Sequence, residues 1–205
     1  MKRIILVLTI CFVAATALAG IKKPIDELKG PIQNGISVLK DPTYHDNSKK
    51  ELQREKIWEI VRQAFDFIQV SKRALARNWR DFTPQQRKEF TDAFAERLKN
   101  TYIDKIQGEF HNEEVVFLGE DMVSDKKAKV RTKLIRERLE VPIDYSMLLT
   151  KDGKWKIYDV NVEGVSLVQN YRKQFSDILD KDSPDQLIDR LKKDNAEQKK
   201  KRTGN

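Results

Sequence analysis

Residues 155–175 read WKIYDVNVEGVSLVQNYRKQF, and this stretch decides the fold. Its first half predicts a β-strand, because apolar side chains occupy alternate positions on two faces. One face carries Tyr158, Val160 and Val162, and the other carries Trp155 and Ile157. Its second half predicts an amphipathic helix, since an apolar stripe with helical spacing is formed by Val165, Val168, Tyr171, Phe175 and Ile178.

Two small residues define the joint between these halves. Gly164 lies where a sharp strand-to-helix turn favours a residue without Cβ. Ser166 and Gln169 have the spacing of a capping box, which predicts that the helix begins just after Ser166. The turn therefore folds one apolar element towards the other.

The first nineteen residues have the pattern of an export signal. Lys2 and Arg3 form a positive n-region, residues 4–18 form an apolar run, and Ala17-Leu18-Ala19 is a small-x-small cleavage site. The run is too short to span a bilayer comfortably. Cys11 follows the bulky Ile10, whereas a lipoprotein signal needs a small residue there. The sequence therefore predicts an exported protein that is cleaved near Ala19.

Beyond the signal the chain contains no cysteine, so an exported protein must be stabilised by its core alone. Residues 20–191 suit a single domain, and residues 192–205 form a basic polar tail that we expect to be frayed or disordered. Loss of Lys2 and Arg3 lowers the formal net charge from +8 to +6. In an exported protein this charge favours an anionic lipid or an acidic protein as partner, or it serves solubility alone.

Helical periodicity dominates the first half of the chain. We expect a break at Gly30-Pro31 and a helix over 31–40, because proline disrupts a helix interior. Ser48 and Glu51 form a capping box that opens a helix to about Val70. Two further capping boxes, each with proline at the first helical position, open later helices at Thr83-Pro84 with Gln86 and at Ser183-Pro184 with Gln186.

After Gly108 the hydrophobic period changes to two, which predicts strands at 115–118, 128–134, 141–149 and 155–162. Asp152-Gly153 lies between the third and fourth of these, so they form a hairpin. The sequence therefore predicts an α+β domain with a four-stranded antiparallel sheet, apolar on one face, and helices before and after it.

No catalytic constellation emerges from the sequence. His45 and His111 lie in polar surroundings, and no nucleophile elbow, phosphate loop or metal-ligand cluster is present. Asp159 and Glu163 would lie about 13 Å apart along one strand, whereas paired carboxylates that act on one bond are about 5–9.5 Å apart. We expect both to satisfy backbone groups at the turn or to pair with cations. The apolar face of the sheet and the apolar helices either pack together into a closed core or leave a cleft for an apolar ligand.

The chain resembles the MlaC family, also called toluene-tolerance proteins, which are periplasmic phospholipid carriers. The match includes Trp155, Tyr158-Asp159-Val160, Glu163-Gly164-Val165-Ser166-Leu167-Val168, Asn170-Tyr171-Arg172 and the aromatic Phe175. It also includes Thr83-Pro84-Gln85-Gln86, Phe90, Phe94, Leu98 and Thr101-Tyr102. Order and spacing agree over most of the mature chain.

This resemblance implies a fold like nuclear transport factor 2, in which a twisted sheet and helices enclose acyl chains. It implies a soluble, monomeric, periplasmic carrier that shuttles phospholipid between an outer-membrane lipoprotein complex and an inner-membrane ATP-binding-cassette transporter, and so maintains outer-membrane lipid asymmetry. Phospholipid would be cargo, and no cofactor, metal or nucleic acid is implied. By face and by motif, the candidate tail-binding residues are Phe65, Ile68, Phe94, Leu98, Val141, Ile143, Tyr145, Met147, Val160, Val165 and Val168.

Two alternatives remain open at the level of sequence. One is a periplasmic enzyme of similar fold, such as an isomerase with Asp159 as its buried acid. The other is an adaptor or chaperone whose groove takes an apolar peptide. Lipid bound to the purified protein would favour the carrier over both.

Overall fold

A computed structural model describes residues 22–44, 46–136 and 139–204 of the chain. The helices are α1 (Pro24–Lys40), α2 (Lys50–Ala64), α3 (Phe67–Leu75), α4 (Pro84–Glu109), α5 (Leu167–Leu179) and α6 (Pro184–Thr203). The strands are β1 (Glu114–Ser124), β2 (Lys127–Arg136), β3 (Leu139–Leu149), β4 (Trp155–Val162) and β5 (Val165–Ser166). Short 3-10 turns occupy Pro42–Tyr44, Asn47–Lys49 and Ala76–Arg80. The predicted export signal, Cys11 and His45 lie outside the described residues.

The strands form one antiparallel sheet in sequence order, which confirms the α+β class. The sheet has five strands in the described chain, so the prediction of four is wrong. The additional strand is β5, which is only two residues long and precedes α5 directly. Such a short strand is too brief for an alternating pattern to reveal it.

Three of the four capping predictions give the correct start of a helix. Thr83 and Ser183 each form a complete capping box with a glutamine three residues on. Ser166 accepts a hydrogen bond from Gln169 N at 3.0 Å, and α5 begins at Leu167 as predicted. The box at Ser48 is wrong, because Asp46 accepts from Ser48 N and the 3-10 turn so formed runs into α2 at Lys50.

Two predicted helix boundaries are also wrong. Helix α1 runs through Pro31 without a break, since Ile25, Leu28 and Ile32 on either side of that residue pack on the sheet core. The helix predicted to reach Val70 is divided after Ala64. Phe65 forms a parallel bridge with Ile157, and Asp66 N donates to Ile157 O at 2.9 Å. Here the edge of the sheet forms hydrogen bonds with backbone groups that would bond within the helix if the helix were continuous.

The C-terminal prediction of a frayed or disordered tail is wrong for residues 192–203, which continue α6. Asn195 is buried in the contact with α4 and donates from Nδ2 to Ala93 O at 2.9 Å. Arg202 donates to Asn100 Oδ1 at 3.2 Å and forms an ion pair with Glu51 at 3.3 Å. Tertiary contacts therefore stabilise a helix whose composition alone is polar and basic.

Strand β4 contains a β-bulge at Tyr158. Ile157 pairs with Met147 and Asp159 pairs with Ser146, so Tyr158 has no partner across the ladder. The extra residue moves Val160 and Val162 onto the face that carries Ile157. The prediction that they lie opposite Ile157 is therefore wrong, and the bulge adds two apolar side chains to that face.

The turn after β4 is tighter than the predicted strand-to-helix joint. Glu163 and Gly164 have φ of +51° and +86°, and they connect β4 to β5 as a two-residue hairpin. Positive φ at both central positions is the requirement of a type I′ turn, in which glycine is favoured. The chain therefore reverses within the sheet before it enters α5.

Apolar residues form two cores on either side of β4. The helical core joins α3, α4, α5 and α6 around Phe90, Phe94, Tyr171, Phe175 and Leu187. Its aromatic rings meet edge to face, as between Phe94 and Tyr171 with centroids 4.8 Å apart. The sheet core joins α1 to the sheet around Leu28, Val130, Met147, Trp155 and Ile157. The sheet core positions the candidate site.

Candidate functional site

One face of the sheet, here called the inner face, is apolar across β2, β3 and β4. The strand register aligns Val130 with Tyr145 and Tyr145 with Val160, and residues paired in an antiparallel ladder share a face. Residues at every second position belong to the same face. It carries Ala128, Val130, Thr132, Leu134, Val141, Ile143, Tyr145, Met147, Ile157, Val160 and Val162.

Helix α1 covers one half of the inner face. Leu28 packs against Val130 and Met147 within the sheet core, and all three side chains are buried. The beginning of α1 is held by two contacts from the sheet. Glu120 Oε2 accepts from Ile25 N at 2.7 Å, and Trp155 Nε1 donates to Lys22 O at 3.0 Å. This covered half is close-packed core.

The other half of the inner face keeps accessible surface. Val141, Ile143, Tyr145 and Val160 are only partly buried, and Val162 is 40% exposed. These side chains are apolar and contiguous across β3 and β4. We call this half, Leu134, Val141, Ile143, Tyr145, Val160 and Val162, the open half of the inner face.

Tyr145, in the middle of the open half, is largely desolvated. Burial raises the pKa of Tyr145 to about 12, and a hydrogen bond with Thr132 opposes this shift only in part. Thr132 itself is 1% exposed and donates from Oγ1 to Ile143 O at 2.9 Å. Tyr145 is therefore desolvated by its neighbours, while part of its surface stays accessible.

A small cleft lies at the end of the sheet core where β4 begins. Its apolar floor includes Leu28, Ala64 and Trp155, and Glu27 and Lys156 form part of its polar rim. Its cavity volume is about 30 Å³. This is far below the range of about 300–1,000 Å³ that is usual for small-molecule sites.

The predicted tail-binding residues fall into separate places. Val141, Ile143, Tyr145 and Val160 come together in the open half, and Met147 lies beside them under α1. Three others are buried in the helical core, namely Phe94, Leu98 and Val168. Phe65 is partly buried between the two cores. The last two are largely exposed, Ile68 at 60% and Val165 at 64%.

Sequence reasoning omitted Leu134 and Val162 from the site. Leu134 pairs with Val141, and Val162 pairs with Ile143, so both belong to the open half. The alternation of β2 is visible in the sequence and was sufficient to include Leu134. Val162 required the bulge at Tyr158, which has no sequence signal of its own.

Of the two acids near the β4 turn, Asp159 has a structural role. Asp159 Oδ2 accepts from Ser166 Oγ at 2.6 Å, and its Oδ1 accepts from Val168 N at 3.0 Å. The expectation that it satisfies a backbone group near the turn is confirmed for Asp159. Glu163 is exposed in the turn. Within the part of the chain that is described, no three His, Cys, Asp or Glu side chains are grouped as metal ligands, and no helix is long and apolar enough to cross a membrane.

The fold and the open half of the inner face define a class of protein: an α+β domain of helices and one antiparallel sheet, with an apolar face that is only partly covered. The sequence model of the MlaC protein family matches residues 31–193, and the chain belongs to this family. The resemblance read from the motifs is thereby confirmed.

Individual relatives agree with this assignment. The chain is 24% identical over 196 residues to the intermembrane phospholipid transport system binding protein MlaC of Haemophilus influenzae, covering 90% of this chain and 87% of that protein. It also shares its fold with the phospholipid-binding protein from Ralstonia solanacearum, solved in complex with a phospholipid. That match has a TM-score of 0.74 at 23% identity and covers 86% of this chain and 99% of that chain.

Proposed function

We propose that this protein is a soluble phospholipid carrier that moves lipid between membranes across the periplasm. The single observation that supports it most directly is the open half of the inner face, where Tyr145 is desolvated but accessible. Membership of the MlaC family supports the same function, since the Haemophilus relative is named for intermembrane phospholipid transport and the Ralstonia protein was solved with a phospholipid.

The physical task of such a carrier requires no bond chemistry. A phospholipid buries roughly thirty methylene groups, and exposing each to water costs about 0.8 kcal/mol. Unassisted escape from a bilayer therefore faces a barrier on the order of 24 kcal/mol, which corresponds to about one event per day. An apolar recess lowers this barrier, and no catalytic side chain is needed for it.

The acyl chains would lie against the open half of the inner face, with Val141, Ile143, Tyr145 and Val160 as the central contacts. Val162 and Val165, both exposed at the β4–β5 turn, would form the rim nearest to water. Met147 and Phe65 would support the site from the sheet core, whereas Phe94, Leu98 and Val168 would stabilise the helical core behind the sheet. Phospholipid is then cargo and not a cofactor.

The partners follow from the same proposal. The carrier would receive or deliver lipid at an outer-membrane lipoprotein complex and at an inner-membrane ATP-binding-cassette transporter, and would act as a monomer. Residues 1–19 would direct export and be removed near Ala19.

The proposal is tested by expressing the full chain with its signal and recovering the protein from the periplasm. We expect soluble protein that begins near Gly20, and mass spectrometry of an organic extract should find phospholipid in a stoichiometric amount. A periplasmic protein of unrelated fold, purified in parallel, controls for lipid carried over from membranes. Protein that stays in the membrane fraction after a salt wash with its N-terminus intact contradicts the export step. Protein that is soluble but lipid-free contradicts the carrier.

A further inference from the structure

A group of cations surrounds the segment formed by α3 and the following 3-10 turn. We call this group the basic face, and it consists of Lys72, Arg73, Arg77, Arg80, Arg87 and Arg172. Residues 66–87 contribute five of these cations but only two carboxylates, Asp66 and Asp81. The segment therefore carries a net positive charge.

Hydrogen bonds collect the arginines from three elements onto this segment. Arg172 of α5 donates from Nε to Arg73 O at 2.9 Å. Arg87 of α4 donates from Nε to Trp79 O at 3.0 Å and from Nη2 to Arg80 O at 3.3 Å. These acceptors are neutral carbonyls, so the bonds position the guanidinium groups without cancelling their charge.

Some cations elsewhere on the surface are paired with acids. On the outer side of the sheet, Arg131 lies 2.8 Å from Asp121 and Lys133 lies 2.6 Å from Glu140. Among the described residues, none of the six cations of the basic face has a carboxylate within 4.0 Å. Asp66 accepts from Gln69 N as the cap of α3. The positive charges of the basic face are therefore not neutralised by nearby carboxylates of the described chain, and they can bind the carboxylates of another molecule.

Aromatic rings hold two of the guanidinium groups in place. The Arg73 guanidinium carbon lies 3.9 Å from the centroid of the Tyr158 ring, and that of Arg87 lies 5.3 Å from the centroid of Trp79. Stacking engages the face of a guanidinium and leaves N–H groups at its edge for a carboxylate, apart from Arg87 Nε and Nη2, which donate to Trp79 O and Arg80 O. Because these groups are already ordered, less side-chain entropy is lost when a partner binds.

Composition distinguishes a protein partner from a membrane surface. Arginine, tyrosine and tryptophan are enriched at the energetic centres of protein interfaces. Attraction to anionic lipid is instead typical of clustered Lys and Arg beside an apolar anchor or an amphipathic helix. The basic face has five arginines and one lysine, and its single exposed apolar neighbour among the described residues of α3 is Ile68.

We propose that the basic face is a docking surface for an acidic protein surface, which its guanidinium groups bind through carboxylates. That the acidic partner is a component of a lipid-transport complex rests on the proposed function, whereas the binding itself does not. The face belongs to the helical side of the molecule, so a partner can dock there without covering the open half of the inner face.

The test uses poly-L-glutamate as the acidic polypeptide and the full mature protein labelled with ¹⁵N. We expect saturable amide shift changes confined to α3, the 76–80 turn and the start of α5, and we expect them to weaken as salt is raised. The double variant Lys72→Glu with Arg77→Glu should bind at least about tenfold more weakly. Both residues are exposed and make no described side-chain bond, so folding should persist.

The matched control is Arg190→Glu with Lys193→Glu on α6, which changes the net charge equally at exposed positions. It should bind like the parent protein. Equal weakening in both double variants would show that only net charge matters and would overturn the proposal. So would stronger binding of phosphatidylglycerol vesicles than of poly-L-glutamate through the same residues, which would assign the face to membranes. Both double variants should keep the parent's lipid content, so a lipid-free parent with intact poly-L-glutamate binding would refute the carrier and leave the docking surface standing.

Discussion

Replacing Val160 with tryptophan distinguishes a lipid recess from a packed core. Val160 is partly buried in the open half and pairs with Tyr145 across the β3–β4 ladder. Tryptophan adds about seven heavy atoms to valine, and in a recess they occupy space that an acyl chain would fill. We therefore expect a folded protein that binds lipid more weakly.

The size of the effect follows from the methylene groups displaced. If about half of the added atoms each exclude one methylene from the recess, the loss is about 3 kcal/mol at about 0.8 kcal/mol per methylene. This corresponds to a factor of about 100 in the dissociation constant. In the lipid-free protein the same change should cost no more than about 0.5 kcal/mol of unfolding free energy, as for a surface substitution.

Two control variants bracket this result. Met147 is 1% exposed under α1, so Met147→Trp overpacks a closed core and should cost about 1–3 kcal/mol. At about 2–4 °C per kcal/mol for a chain of this size, Tm falls clearly. Leu118 is 50% exposed on β1, and Leu118→Trp should change neither stability nor lipid content.

The assay measures lipid per protein by native mass spectrometry and Tm of the delipidated protein by calorimetry. The reasoning is refuted if Val160→Trp lowers Tm as much as Met147→Trp does while its lipid content equals that of the parent. Such a result would show that Val160 belongs to the closed core and that lipid lies elsewhere.

Three further outcomes are expected. Gly164→Val should lower the unfolding free energy by about 1–3 kcal/mol, because φ is +86° there. The control Gly164→Asn should retain most of the parent's unfolding free energy. Equal Tm values for both variants would contradict the turn geometry. Ala76→Gly should raise stability by about 1 kcal/mol, since Ala76 has φ of +50°, and an unchanged or lower Tm would show that the backbone is not strained. Burial holds the pKa of Tyr145 at about 12, so the unfolded chain releases this proton from about pH 10 while the folded chain retains it. The stability contributed by neutral Tyr145 is complete below pH 10 and is lost between pH 10 and 12. Tyr145→Phe should therefore lose about 1–2 kcal/mol less over that interval in denaturant titrations, and parallel curves would argue that Tyr145 is not desolvated.

Local chemistry accounts for much of the predicted architecture. The helix starts at Pro84 and Pro184 follow from capping boxes that need only residues three apart and a proline at the first turn. The hairpin at Asp152-Gly153 and the alternation of β2 and β3 likewise depend on neighbouring residues. These features, together with the family motifs, were sufficient for the α+β class and for the expectation of an apolar ligand.

Hydrophobic periodicity does not predict against what each apolar residue is buried. An apolar stripe shows that a side chain avoids water, but a packed helix, an acyl chain or an open recess satisfies that preference equally. Phe94 and Val141 have similar sequence signals, yet Phe94 is in the helical core and Val141 is in the open half. Only the position of α1 over the sheet separates the two halves of the inner face.

By itself the sequence determined the helix caps, the alternation of the strands and the family, because each depends on residues close together along the chain. The tertiary structure alone decided the bulge at Tyr158, the division between α2 and α3 at Phe65, and the passage of α1 through Pro31. Each of these depends on a partner far away in sequence: Met147 and Ser146 set the bulge, Ile157 captures the backbone at Phe65, and the sheet core holds α1. Long-range hydrogen bonds and burial outweigh local preference at these points, and the bulge they produce places Val160 in the open half.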